Sequence, residues 1–148
     1  MSDVQSLDVA IGTLVRLLTI DERRASSNLG PLPLNPIDLE VLSFIQRYPK
    51  AVAHDVAKFV GVGATTMQSA IDRLVRRGFI IRDKSALKGR AVALSLTQEG
   101  AQVRQQIHDQ NLKNCERILA CVKEEDQALF IRQLTIIADT FLIEAARE

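Results

Sequence analysis

Residues 53–77 read AHDVAKFVGVGATTMQSAIDRLVRR, and the glycine pair near the centre decides how the rest of the chain is understood. Ahead of it, Val56, Ala57 and Phe59 give Ala53 to Phe59 a short apolar stripe. Gly61-Val62-Gly63 then breaks the pattern. Beyond the break, Met67, Ala70, Ile71 and Leu74 recur at i, i+3, i+4 and i+7, which predicts a helix over Ala64 to Arg77 with Gly78 as its stop. Two helices around a tight glycine-containing turn make a helix-turn-helix candidate.

Working outward, Phe79 to Arg82 and Ala91 to Leu96 are strand-like. They are joined by Asp83 to Arg90, a basic stretch with Gly89 near its end, so a hairpin with a basic tip is expected. Upstream, Asn35 is placed as N-cap with Pro36 at the first helical position of a helix running to Pro49. Ser26 to Pro33, with Asn28, Gly30, Pro31 and Pro33, is expected to be a loop. The first helix starts at Ser2, where Ser2 and Gln5 form a candidate capping box, and Leu7, Ile11, Leu14, Val15 and Leu18 line one face. Downstream, Thr97 caps a helix of about 25 residues, and another runs from about Glu125 to the end. Phe130, Leu134, Ile137, Phe141 and Ala145 share a face of that last helix, with Ile131, Leu142 and Ile143 widening the arc. Arcs that broad on terminal helices call for a second subunit related by a two-fold axis.

Composition bounds the possibilities. At 148 residues, 47% hydrophobic and 25% charged, the chain suits one globular domain. Charges interrupt every apolar run before it could span a bilayer, and Met1 to Ala10 has no basic leader, so a cytoplasmic protein with no membrane partner is expected. The formal net charge is only +1, but residues 47–90 hold ten Lys or Arg against three Asp. A basic middle between acidic flanks is the footprint of a surface that meets a polyanion. Cys115 and Cys121 match no zinc or redox spacing and read as ordinary buried thiols. His54 and His108 lack partners at ligand spacing and read as surface or helix-capping histidines. No catalytic constellation, metal site or cofactor motif is found, so the chain is read as a non-enzyme without cofactors.

From Leu34 to Gly100 the sequence resembles the multiple-antibiotic-resistance regulator (MarR) family. Leu34-Asn35 is similar to its Leu-Thr helix start, and Asp55-Val56-Ala57-Lys58 to its Glu-Leu-Ala stretch. Ile71 to Ile80 resembles the end of its recognition helix, and Leu96-Thr97-Gln98-Glu99-Gly100 its Leu-Thr-x-x-Gly close. Two places depart from the pattern. The wing reads Lys88-Gly89-Arg90 where Asp-Arg-Arg or Asp-Lys-Arg is usual, and Gly63 stands where a serine cap is common.

The resemblance implies a mainly α fold with a small β-hairpin wing, a winged helix-turn-helix with long N- and C-terminal dimerisation helices. It would be one domain over residues 1–148, with 1–33 and 97–148 for dimerisation and 34–96 for DNA. The implied function is a sequence-specific regulator of transcription, a ligand-responsive repressor that binds a pseudo-palindromic operator in double-stranded DNA as a homodimer. Its effector would be a small aromatic or anionic molecule entering between the dimerisation helices and the DNA-binding lobe. The first helix lacks the cysteine of the family's peroxide sensors. With the recognition helix in the major groove, Thr65, Thr66, Gln68, Ser69, Arg73 and Arg76 face the bases or backbone. Gln68 suits adenine and Arg73 suits guanine or phosphate. Lys88 and Arg90 suit the minor groove, and Lys84 suits phosphate. The alternative is a winged-helix protein-interaction module whose basic face meets an acidic partner without reading sequence.

Overall fold

The computed structural model describes residues 1–27, 34–145 and 147. Among these the chain order is α1 (Asp3–Ser27), α2 (Pro36–Arg47), α3 (Ala53–Val60), α4 (Ala64–Arg76), β1 (Ile80–Asp83), β2 (Ala93–Leu96), α5 (Gln98–Ala120) and α6 (Glu124–Ala145). The expected mainly helical fold with one hairpin is the fold observed. No helix among the described residues is long and apolar enough to cross a membrane.

Local chemistry sets most of the boundaries. Ser2 and Gln5 exchange backbone and side-chain hydrogen bonds (2.8 and 3.3 Å), which closes the first turn of α1. The loop expected over Ser26 to Pro33 lies outside the described residues except for Ser26 and Ser27, which are helical. Asn35 caps α2: its Oδ1 accepts from the Asp38 amide at 2.9 Å, and the Asp38 carboxylate accepts from the Asn35 amide. The helix ends at Arg47, two residues short of the expected Pro49, because Tyr48 has already left helical geometry.

The end of α4 is fixed by Gly78, whose φ of 78° suits a residue without Cβ. Its amide bonds to the Val75 carbonyl, and the Phe79 amide bonds to the Leu74 carbonyl. Phe79 is therefore spent on closing the helix. Strand β1 starts one residue later than expected, at Ile80, and β2 two residues later than expected, at Ala93. The strands pair antiparallel with Ile80 opposite Leu96 and Asp83 opposite Ala93. Ala51 adds a bridge to Leu94, its carbonyl accepting at 2.8 Å, which ties the end of α2 to the hairpin.

The start of α5 is joined to the same place. Thr97 donates its hydroxyl to the Gly78 carbonyl (2.5 Å) and accepts from the Gly100 amide (3.0 Å), while its own amide donates to the Phe79 carbonyl (3.0 Å). A Cβ on Gly100 would sit 2.1 Å from that Phe79 oxygen, so only glycine fits without moving backbone.

The chain divides into two compact units, Met1–Asn111 and Leu112–Glu148. In the first, Val41, Leu42 and Ile45 of α2, Val56 of α3, Met67, Ile71 and Leu74 of α4, Ile80, Leu94, and Val103 and Ile107 of α5 form one buried core. Helix α1 contributes little to it, with Val4, Leu7, Ile11, Leu14 and Val15 all exposed. In the second unit, the Gln127 amide donates to the carbonyls of Leu119 and Val122 and fixes the turn into α6. Leu129, Ile131, Leu134, Ile137 and Phe141 of α6 are exposed, whereas Phe130 is half-buried. The expectation of buried thiols is overturned: Cys115 and Cys121 are both exposed, because Asn114 takes the buried position in that turn of α5 and Cys121 lies just past the helix end, its thiol donating to the Arg117 carbonyl.

Candidate nucleic-acid interface

The turn between α3 and α4 is built by two glycines in different conformations. Gly61 closes α3 in the left-handed region (φ 77°), its amide donating to the Ala57 carbonyl. Gly63 precedes α4 in extended geometry and offers no side-chain cap. Where a serine would satisfy one of the amides in the first turn of α4, this chain leaves them uncapped by any side chain.

Helix α4 then sorts its side chains into two faces. Met67, Ala70, Ile71 and Leu74 are buried, which locks the helix to α2 and α3. Thr65, Thr66, Gln68, Ser69 and Arg76 are exposed. Arg73, expected among them, is half-buried and lays its guanidinium on Asp38 of α2, with Nε to Oδ2 at 3.1 Å and a terminal nitrogen to Oδ1 at 2.6 Å. The fork is bidentate. Asp38 is 1% exposed, so one carboxylate both caps α2 and anchors the helix that would read DNA. The fork raises the pKa of Arg73 further above its ordinary value.

A second network lies on the exposed side. The Gln68 side-chain amide donates to Asp72 Oδ1 at 3.2 Å, one helical turn on. Arg82 of β1 donates to the same oxygen. These two hydrogen bonds, Arg82 first, hold the Asp72 carboxyl below the ordinary aspartate pKa. The network joins α4 to the strand that leads into the wing.

At the tip, Asp83 Oδ1 accepts from the amide (2.8 Å) and the hydroxyl (2.7 Å) of Ser85, which starts the turn and lowers the Asp83 pKa. Gly89 takes a φ of 78° between Lys88 and Arg90. Lys84, Lys88 and Arg90 are all exposed on this tip. The structure thus gathers five of the six expected α4 residues on one exposed face and all three expected wing cations on the hairpin.

Two functional features escape the sequence reading. His54 and Lys58 of α3 line a concavity of about 450 Å³ together with Gln68, which puts a cation beside the recognition face. In the sequence Lys58 stands out only as one charge of the basic middle segment. Asp38 escapes because aspartate three residues after a cap is a weaker capping-box signal than glutamate or glutamine, and its arginine partner lies 35 residues away.

Comparison with known proteins agrees with this architecture. Residues 32–91 match the profile described as MarR family. No curated protein sequence is significantly similar to the chain. Among solved structures, one described as MarR superposes with a TM-score of 0.80 at 20% identity, covering 100% of this chain and 99% of that one. FabT of Streptococcus pneumoniae, solved in complex with DNA, gives 0.80 at 22% identity over 96% of this chain and 99% of that one. A MarR transcriptional regulator of Methanosarcina mazei gives 0.75 at 17% identity over 93% and 97%. Identities this low speak to fold alone, and the fold is that of MarR transcriptional regulators. Taken with the profile match, which runs from the start of α2 through β1 and the hairpin tip, the chain has a winged helix-turn-helix fold and is similar to the MarR family.

Proposed function

We propose that the protein binds double-stranded DNA as a homodimer and regulates transcription, with α4 in the major groove and the hairpin tip on the flanking backbone or minor groove. The observation that carries this reading is the division of α4: an apolar face held in the core and an exposed face of hydroxyl, amide and guanidinium groups matched in type to base edges and phosphates. Lys84, Lys88 and Arg90 supply charge without base-reading geometry, and Lys58 adds a further phosphate contact. Arg73 keeps its place in the site as the anchor of α4 to Asp38. The similar structure solved with DNA supports the same docking.

The dimer follows from α1 and α6, each of which leaves a run of large apolar side chains exposed in one chain. A two-fold dimer covers such faces and sets two recognition helices against two half-sites. This assigns 34–96 to DNA and the terminal helices to dimerisation. Regulation is by repression, released when a small aromatic anion binds. Its place is a cavity of about 220 Å³ bordered by Leu39, Ser43, Phe59, Arg104 and Ile107. There the Arg104 Nε is buried without a hydrogen-bond partner among the described residues, a donor that a carboxylate would satisfy. A volume near this size holds a single aromatic ring.

Selection of bound duplexes from a random pool tests the central claim. The expected result is an inverted repeat with half-sites about one helical turn apart, bound with a steep salt dependence. Equal retention of all sequences, or binding to an acidic protein without any to DNA, would overturn it. Benzoate is the effector probe, expected to lower operator affinity in the native protein and not in Arg104→Met.

A further inference from the structure

We infer that Asp72 and Arg82 are positioning residues that fix the orientation of the Gln68 amide and thereby make it an adenine reader. The inference rests on the proposed docking of α4 in the major groove, and it concerns which base is read there.

An ionised carboxylate can only accept hydrogen bonds, and the Arg82 guanidinium keeps Asp72 ionised by donating to Oδ1. Gln68 shares that same oxygen and so must present its NH2 group to it, at 3.2 Å. Turning the amide over would set its carbonyl oxygen against the carboxylate, acceptor against acceptor. The constraint leaves Gln68 with one free N–H and its carbonyl oxygen, and these lie side by side when the N–H anti to the carbonyl is the one bonded to Asp72. Adenine offers the complement in the major groove, an N7 acceptor beside an N6 donor. Guanine offers two acceptors, N7 and O6, and the constrained amide has a single donor left for them. A free glutamine can rotate its NH2 group toward guanine, whereas the constrained one is held against that choice.

The source of the constraint is the wing strand. Arg82 stands on β1, opposite Leu94 of β2, and its guanidinium is committed to α4 through Asp72. A basic residue beside the wing thus serves base selection without touching DNA.

The test uses the full-length protein and an operator taken from the selection, with each position carried through all four bases and affinities read by fluorescence anisotropy. Gln68→Ala identifies the position that depends on Gln68, where the native protein should prefer adenine over guanine about tenfold or more. Asp72→Asn offers a donor as well as an acceptor and frees the amide, so the preference should fall to about threefold or less. Arg82→Met, which keeps the carboxylate and removes its tether, should give an intermediate preference. All three side chains lie outside the core, so circular dichroism melts should stay within a few degrees of the native protein. An unchanged adenine preference in Asp72→Asn overturns the inference, as does a Gln68-dependent position that prefers another base in the native protein. Absence of any DNA binding by the native protein would instead overturn the functional reading beneath it.

Discussion

Asp38 and Gly100 carry more of this fold than their size suggests. Replacing Arg73 with Ala leaves the buried Asp38 carboxylate without its charged partner, and the expected loss is about 1–3 kcal/mol, at the lower end because the Arg73 side chain is 37% exposed. Asp38→Asn keeps the helix cap and removes the charge, so it should cost less than Arg73→Ala. Urea denaturation of the two variants decides the order, and a loss in Asp38→Asn as large as that in Arg73→Ala would count against it. Gly100→Ala drives a methyl group into the Phe79 carbonyl and should cost about 1–3 kcal/mol, read as a lower melting temperature. Gly12 lies inside α1, where an added methyl group would meet nothing within 4 Å, and it should respond in the opposite sense, Gly12→Ala adding up to about 1 kcal/mol. These residue roles were only partly legible in the sequence. Gly100 stood inside a recognisable motif, but the reason for it, a backbone oxygen from Phe79, is a long-range contact that spacing along the chain does not reveal.

At the scale of elements, sequence reading succeeded where the chain punctuates itself. Ser2, Asn35, Gly78 and Thr97 each carry their own capping chemistry, so the helices begin and end close to where those residues predict. It drifted at the hairpin, where Phe79 looks like a strand residue yet closes α4, and where Ala91 and Val92 belong to the tip. The hairpin and α4 should also fail differently under mutation. Arg90→Ala should weaken binding to all duplexes alike and reduce the slope of log affinity against log salt by about one, since it removes one phosphate contact. Gln68→Ala should cost about 1–3 kcal/mol on the preferred operator and little on random DNA. A titration series at several salt concentrations separates the two, and the roles are reversed if Arg90→Ala alters preference at a single position. The latch between Asp72 and Arg82 has its own pH signature. Because the folded-state pKa of Asp72 is depressed, its contribution is present above the ordinary aspartate pKa and is lost as pH falls through the lowered value. Carboxyl carbon NMR should therefore show Asp72 titrating at lower pH in the native protein than in Arg82→Met.

At the scale of the whole molecule, the apolar arcs on α1 and α6 were readable as periodic patterns, and the structure leaves most of the same side chains exposed, with Leu18 and Phe130 half-buried. The cysteines show the limit of such reading: burial depends on what packs against α5, and residue type alone does not supply that. Leu134→Glu or Phe141→Glu should raise the dimer dissociation constant by roughly two orders of magnitude or more, because a carboxylate would have to be buried on association. Sedimentation equilibrium checks this, and a native chain that stays folded as a monomer at micromolar concentration would count against the dimer. The bareness of α1 has one more consequence. A helix whose side chains from Val4 to Leu17 meet solvent in the single chain has little besides its own backbone to keep it wound, and isolated helices are marginal in water. If a second copy supplies what it packs on, winding and association become one equilibrium governed by mass action, and stability becomes a function of how many copies are present. Dilution alone should then unwind the protein: ellipticity in the far ultraviolet should fall as concentration drops through the dissociation constant, and the melting temperature should climb with the logarithm of concentration.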